Sequence, residues 1–122
     1  MHIPELVAHR GYALHYPENT LIGIEAAIRA GARYIEVDVQ LSADKVPVLF
    51  HDRTLDRLCR VEGTIHRYTR EELKAFHVFE FDRFGYKFAQ NPVTTLAELG
   101  ALLTRHPQVT AFIELKRVSI EV

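Results

Sequence analysis

Residues 34–41 read Tyr34-Ile35-Glu36-Val37-Asp38-Val39-Gln40-Leu41, and their alternation decides the fold. Successive side chains of a strand point to opposite faces, so Ile35, Val37, Val39 and Leu41 share one face and Tyr34, Glu36, Asp38 and Gln40 the other. This is a strand with a polar functional face. Upstream, Leu6-Val7-Ala8 is a short apolar run ending at His9, a first strand. Gly11 lets the chain turn, and Pro17 with Asn19-Thr20 marks a helix start with Asn19 or Thr20 as N-cap. Leu21, Ile24 and Ile28 follow at helical spacing with Ala27 beside them, and Gly31 supplies the stop. Downstream, Ser42 to Lys45 forms a tight turn, and Val46-Pro47-Val48-Leu49-Phe50 is another short strand leading into His51-Asp52.

From about Arg53 to Pro92 the pattern changes. Charges mix with Gly63 and Gly85, and one helix start stands out, Thr69 with Glu72 three residues on, a capping box. Phe76, Phe79, Phe81, Phe84 and Phe88 read as the local core of an insertion packed over the main fold, in preference to a substrate- or partner-facing patch. Thr95 and Glu98 form a second capping box. Leu96, Leu99, Leu102 and Leu103 make the stripe of a helix ending near His106-Pro107. Val109 to Leu115 is then a strand, with Ala111, Ile113 and Leu115 on one face and Phe112, Glu114 and Lys116 on the other. Strand, helix, strand, insertion, helix, strand opens a parallel α/β architecture.

The 122 residues hold one domain with a modest core. With 15 basic and 16 acidic residues, scattered, no face is basic enough for nucleic acid or an anionic membrane surface. Cys59 is alone, so no disulfide closes within the chain and a reducing compartment is expected. Met1 to Glu5 lack the pattern of a secretion signal, and no segment has the length of a membrane span. The expected location is the cytoplasm.

Glu36 and Asp38 project the same way from Cα atoms about 7 Å apart. Their charges repel by roughly 2 kcal/mol at an effective dielectric near 20. Two readings of the pair stand: solvated acids on an exposed face, or ligands of a cation, for which hard oxygens favour Mg²⁺ or Ca²⁺ over zinc. Glu114 and Lys116 repeat the spacing on the later strand. In a parallel sheet the C-terminal strand ends gather on one side, and His9, Glu36, Asp38, His51, Glu114 and Lys116 all fall at or near such ends. Three carboxylates can hold one cation, two histidines can supply an acid and a base, and Arg10 and Lys116 can neutralise an anion. Together these groups point to phosphoryl chemistry. Cys59 reads as packing, and Asp52 as a partner of His51 or of a loop amide.

His9-Arg10-Gly11, Pro17-Glu18-Asn19-Thr20, Gly31-Ala32, Glu36-Val37-Asp38-Val39, Pro47-Val48 through His51-Asp52, Leu55 and Arg57 stand in order as a signature. With Gly63, Thr69 to Leu73, Pro92 to Leu96 and Glu114-Leu115-Lys116, the chain resembles the glycerophosphodiester phosphodiesterases over nearly its whole length. The resemblance implies an α/β fold, a partial TIM (β/α) barrel: the first three strand units, with a small insertion after the second strand at about 53–92. It implies metal-dependent hydrolysis of small-molecule glycerophosphodiesters to sn-glycerol 3-phosphate and an alcohol. Glu36, Asp38 and Glu114 would bind a divalent cation, Mg²⁺ or Ca²⁺. His9 and His51 would be the acid–base pair, and Arg10 and Lys116 would hold the phosphate. Attack by the glycerol hydroxyl would give a cyclic phosphate that water opens. Lys45 departs from the pattern, where the family often has glycine after Asp44.

A TIM barrel takes about 250 residues, so residues 1–122 match the N-terminal portion of that fold and leave an open sheet edge. The expectation is a fragment of a longer protein, an assembly of copies associating through the open sheet, or a short paralogue that binds without turnover. Beside hydrolysis stand two other functions: a truncated anion- and metal-binding or oligomerising module, and a related barrel phosphodiesterase with another phospholipid-derived substrate.

Overall fold

The computed structural model describes residues 7–116, so the readings of Met1 to Glu5 and of Leu6 lie outside the described residues. Strand β1 spans Val7–His9, helix α1 Leu21–Arg29, strand β2 Tyr34–Leu41 and strand β3 Pro47–Leu49. The short helices α2 (Asp56–Cys59), α3 (Arg70–Leu73) and α4 (Phe81–Phe84) follow, with a 3-10 turn at Ile65–Arg67. Helix α5 (Leu96–Leu103) and strand β4 (Thr110–Leu115) close the described chain.

The start signals are local, and they hold. Thr20 caps α1 by accepting from the Gly23 amide, and both capping boxes, Thr69 with Glu72 and Thr95 with Glu98, form in full. Gly11, at φ 82°, is a close-approach glycine. A Cβ there would meet the Ile24 amide nitrogen at 3.1 Å, so a side chain would push the loop after β1 off α1.

Strand β2 is the axis of the sheet. Strand β1 pairs parallel with its first part (Val7 with Tyr34, His9 with Glu36) and β4 runs parallel along its other edge, from Tyr34 with Thr110 to Val39 with Leu115. Ile35, Val37 and Val39 face a core completed by Ile24 of α1, Leu99 and Leu102 of α5, and Leu49. The acidic residues therefore occupy the face away from the helices.

Strand β3 departs from a purely parallel reading. It pairs antiparallel with the far end of β2, Val39 with Leu49 and Leu41 with Pro47. A turn as short as Ser42–Lys45 allows only a hairpin, whereas a parallel crossover needs about a dozen residues. His51 thus reaches the strand ends by folding back beside Asp38, whose carbonyl accepts from the Phe50 amide at 2.9 Å. It does not sit at the end of a parallel strand.

The insertion has its own core, and its composition corrects the sequence reading. Leu55, Leu58, Cys59, Ile65, Leu73, Val78 and Val93 are buried together with Val48 and Phe50 of the hairpin. Phe76 packs partly against them, while Phe79, Phe81 and Tyr86 contact one another in a partly exposed shell. Each fully buried leucine-sized side chain contributes about 1.5–3 kcal/mol, against about 0–1 kcal/mol for a surface ion pair. Aliphatic packing therefore holds the insertion.

Strand β4 also differs from expectation. Ala111 reaches the helix-covered core, but Ile113 and Leu115, on the same face, are 45% and 76% exposed. Among the described residues α5 covers only the start of this strand.

Lys45 adopts φ 67°, a left-handed conformation that disfavours an L side chain by about 1–2 kcal/mol. Glycine's extra unfolded-state entropy offsets part of that, so Lys45→Gly should stabilise the chain by up to about 1 kcal/mol. Urea unfolding of the two chains measures the difference, and a loss of stability would refute the strain.

Candidate active site

Two clusters of charged side chains meet where the strands end. In the first, one carboxylate oxygen each from Glu36, Asp38 and Glu114 lie within 4.8 Å of one another. The strands place them: Glu36 and Asp38 are two apart on β2, and Asp38 is the register partner of Glu114 on β4. Asp38 is the deepest, its side chain 1% exposed, whereas that of Glu114 is 58% exposed. Burial pushes the Glu36 carboxyl above its usual range, Asp38 adds to the rise, the His9 imidazole opposes it and Glu114 adds again.

Asn19 explains how Asp38 is held. Of the two N-cap candidates, Thr20 caps the helix, which leaves the Asn19 side chain for another partner. Asn19, buried and at φ 55°, donates through Nδ2 to Asp38 Oδ2 at 3.1 Å and accepts the Asp38 amide at 3.2 Å. It fastens the loop after β1 to the central acid.

Cationic side chains of the chain itself approach this cluster. His9 Nε2 lies 3.0 Å from Glu36 Oε2, Arg10 Nε 3.2 Å from Asp38 Oδ2, and Lys116 Nζ 3.5 Å from Asp38 Oδ1 and 3.3 Å from Glu114 Oε1. These are ion-pair distances. Both Glu36 oxygens and Asp38 Oδ1 are buried without a donor in hydrogen-bond geometry among the described residues. Donor-less buried carboxylate oxygens, clustered and hard, fit a divalent cation of the Mg²⁺ or Ca²⁺ kind.

The second cluster is Glu18, His51 and Asp52. It is satisfied internally. His51 Nδ1 is 2.9 Å from Asp52 Oδ1, Arg57 forks onto both Asp52 oxygens at 2.8 and 3.0 Å, and Arg57 also donates to Glu18 Oε1 at 2.9 Å. The Arg57 hydrogen bond holds the Asp52 carboxyl below its usual range, against burial, and the bond from His51 helps. Gln40 supports the same turn by donating to the carbonyls of Phe50 and Asp52 at 2.8 and 2.6 Å. Arg10 joins the clusters through Nη1, 3.2 Å from Glu18 Oε2.

All seven residues singled out from the sequence therefore lie in one connected region. Glu18, Arg57 and Gln40 are site residues that the sequence reading left without roles. Glu18 and Arg57 stand in the motifs it quoted, but they meet across 39 positions, and no local spacing reveals that. Cys59 is buried and its thiol is pushed up to about 12 by that burial, so it is a packing residue.

A mainly parallel β/α array with acids and a histidine at its parallel strand ends, and a second histidine folded back beside them, matches the site layout of barrel enzymes. The sequence profile of the Glycerophosphoryl diester phosphodiesterase family matches residues 9–121, and the chain belongs to that family. A glycerophosphodiester phosphodiesterase of Caldanaerobacter subterraneus subsp. tengcongensis is 40% identical over 98 residues, which are 80% of this chain and 40% of that protein. One from Bacillus altitudinis is 38% identical over 115 residues, 92% of this chain and 45% of the relative. A phosphodiesterase of Oleispira antarctica, solved in complex with the product sn-glycerol-3-phosphate, superposes with a TM-score of 0.84 at 33% identity, covering 93% of this chain and 45% of the other. The chain thus spans less than half the length of these relatives, and its fold is a partial TIM barrel. Among the described residues, no helix is long and apolar enough to cross a membrane.

The Asp52–Arg57 pair has a pH signature. A carboxyl with a depressed folded pKa adds stability that is present above its unfolded value, about 3.9, and is lost as pH falls through the folded value. Arg57→Met should lower stability at neutral pH, and the gap to the parent chain should narrow below about pH 4. Urea unfolding from neutral to acid pH reads this, and a constant gap would show that the pair contributes no linkage.

Proposed function

We propose that residues 1–122 are the N-terminal, residue-bearing portion of a metal-dependent glycerophosphodiester phosphodiesterase, with residues 53–92 as its insertion. The reaction is hydrolysis of a glycerophosphodiester to sn-glycerol 3-phosphate and an alcohol. The observation that carries this reading is a set of buried carboxylate oxygens, both of Glu36 and Oδ1 of Asp38, without a hydrogen-bond donor among the described residues, beside two histidines each close to a carboxylate. The Oleispira antarctica relative with its bound product supports the substrate class.

Glu36, Asp38 and Glu114 are the cation ligands in this reading. Held there, Mg²⁺ or Ca²⁺ would supply Lewis-acid stabilisation of charge on phosphoryl oxygens. His9 and His51 act as the acid–base pair. The glycerol hydroxyl attacks phosphorus, one histidine takes its proton and the other protonates the departing alcohol oxygen. Water then opens the cyclic phosphate with the proton transfers reversed. Arg10 and Lys116 offset the phosphate charge.

A second reading attaches to β4, where Phe112, Ile113 and Leu115 are 52%, 45% and 76% exposed. It holds that copies of the chain associate through this open sheet. Sedimentation over a range of concentrations tests it, and a strictly monomeric chain would remove it.

Release of glycerol 3-phosphate from glycerophosphocholine by the full 122-residue chain, with Mg²⁺ or Ca²⁺ and then with chelator, tests the enzymatic reading. Release should be chelator-sensitive. His9→Ala and His51→Ala should each lower it by at least about 100-fold while cation binding persists. Activity retained in either variant would sink the acid–base assignment. Without cation, Glu36→Gln should raise the thermal midpoint by removing a repelling charge, and with cation it should lose most of the ion-dependent stabilisation. Unchanged cation affinity would strike Glu36 from the ligand set. No release with either ion, alongside intact cation binding, would make these residues a fragment whose pocket needs the rest of the fold, or a non-catalytic metal- and anion-binding module.

A further inference from the structure

The insertion sends into the site a side chain that the proposed reaction leaves unused. Arg57, on α2, touches three carboxylates. Its Nε and Nη2 donate to Asp52 Oδ2 and Oδ1 at 2.8 and 3.0 Å, Nη2 donates to Glu18 Oε1 at 2.9 Å, and Nη1 lies 3.9 Å from Glu80 Oε1. The Glu18 and Glu80 side chains are each 6% exposed. Asp52 Oδ1 is also the atom 2.9 Å from His51 Nδ1, so guanidinium and imidazole share one oxygen.

That sharing constrains a proton. An ionised carboxylate only accepts, so the bond to Asp52 requires the His51 proton on Nδ1 and leaves the lone pair on Nε2. A single bond to an imidazole does not fix the plane of a carboxylate, whereas a two-pronged guanidinium does. Glu18 sharpens the requirement, because ligand atoms of Glu18, His51 and Asp52 all lie within 4.8 Å of one another. Without a cation between them, the two acids would repel and compete for the same ring.

Resting on the reading of His51 as an acid–base group, we infer that Arg57 is a positioning residue for His51. It fixes the Nδ1–H tautomer by holding Asp52 in plane while neutralising Glu18. The insertion braces this arrangement from behind. Glu80 is paired to Arg83, and Arg83 Nη2 donates to the Ala13 carbonyl at 2.6 Å, tying the insertion to the loop that carries Glu18.

The test is ¹⁵N-histidine NMR of the full chain at about pH 9, where an ordinary imidazole is neutral, with His51 assigned by its loss in His51→Gln. Asp52→Asn, whose amide can donate to Nδ1, supplies the reference signal for the Nε2–H form. The parent chain should show His51 protonated on Nδ1, and Arg57→Ala should shift it to the Nε2–H form or a mixture. Turnover should fall about 10- to 100-fold in kcat with KM little changed. Arg57→Lys keeps the charge without the fork and should fall between the two, and it serves as the reading if Arg57→Ala does not fold. A parent ring protonated on Nε2, or an unchanged Nδ1–H signal in both Arg57 variants, would overturn the inference. The spectrum needs no substrate. A tautomer shift in a chain that releases no glycerol 3-phosphate would remove turnover from these 122 residues alone and support the positioning role, whereas normal turnover with an unchanged ring in Arg57→Ala would support the reaction and overturn the positioning role.

Discussion

Asp38 is a carboxylate with only 1% of its side chain exposed, and the chain around it is arranged to make that burial tolerable. An isolated buried charge is destabilising by several kcal/mol, so its partners are a condition of folding as well as of chemistry. They come from separate places: Asn19 and Arg10 from the loop after β1, and Lys116 from the end of β4. Both loop residues hold left-handed backbone conformations, at φ 58° for Arg10 and 55° for Asn19. Such geometry persists where surrounding contacts over-determine it, and here the hydrogen bonds from Arg10 N to Glu36 O and from Asn19 N to Arg10 O supply them.

Strand β2 shows which part of this arrangement was readable in advance. Its period-two alternation announced a core face and an acid face; Ile35, Val37 and Val39 are buried accordingly, while Asp38 on the acid face is buried as well, among its polar partners. The capping boxes at Thr69 and Thr95 were legible for the same reason, since partners three residues apart are fixed by the local chain. Glu18 with Arg57, and Asn19 with Asp38, were illegible as pairs, because they meet only after the sheet has formed. Of the two cap candidates the chain offers, Thr20 caps the helix, and which of them does so is settled by the bond from Asn19 to Asp38. The phenylalanines were legible only in part: Phe88 is buried against Tyr16 and Phe84 and Phe76 packs on the core, but the buried cluster of the insertion is mainly aliphatic.

The hairpin joins the two cores. Leu49 faces the helices while Val48 and Phe50, on either side of it, face the insertion. Its turn also anchors the insertion, since Asp44 accepts the Arg70 amide at 2.9 Å and the Ala43 amide donates to the Tyr68 carbonyl at 2.8 Å. The segment that bears Arg57 is therefore built onto the strand that returns His51 to the site. Relative placement of these groups is a property of packing rather than of a flexible lid.

Strand β2 is also the one described strand bonded along both edges, by β1 and then β3 on one side and by β4 on the other. Its amides exchange with solvent only when the sheet comes apart, whereas β1 and β4, each paired to β2 alone among the described residues, can fray from their outer edges. Glu36 and Asp38 ride on the slow-exchanging strand, and His9 and Glu114 on its faster neighbours. Two of the three clustered acids therefore ride on the strand with the most protected amides, and the third on a strand paired, among the described residues, along one edge.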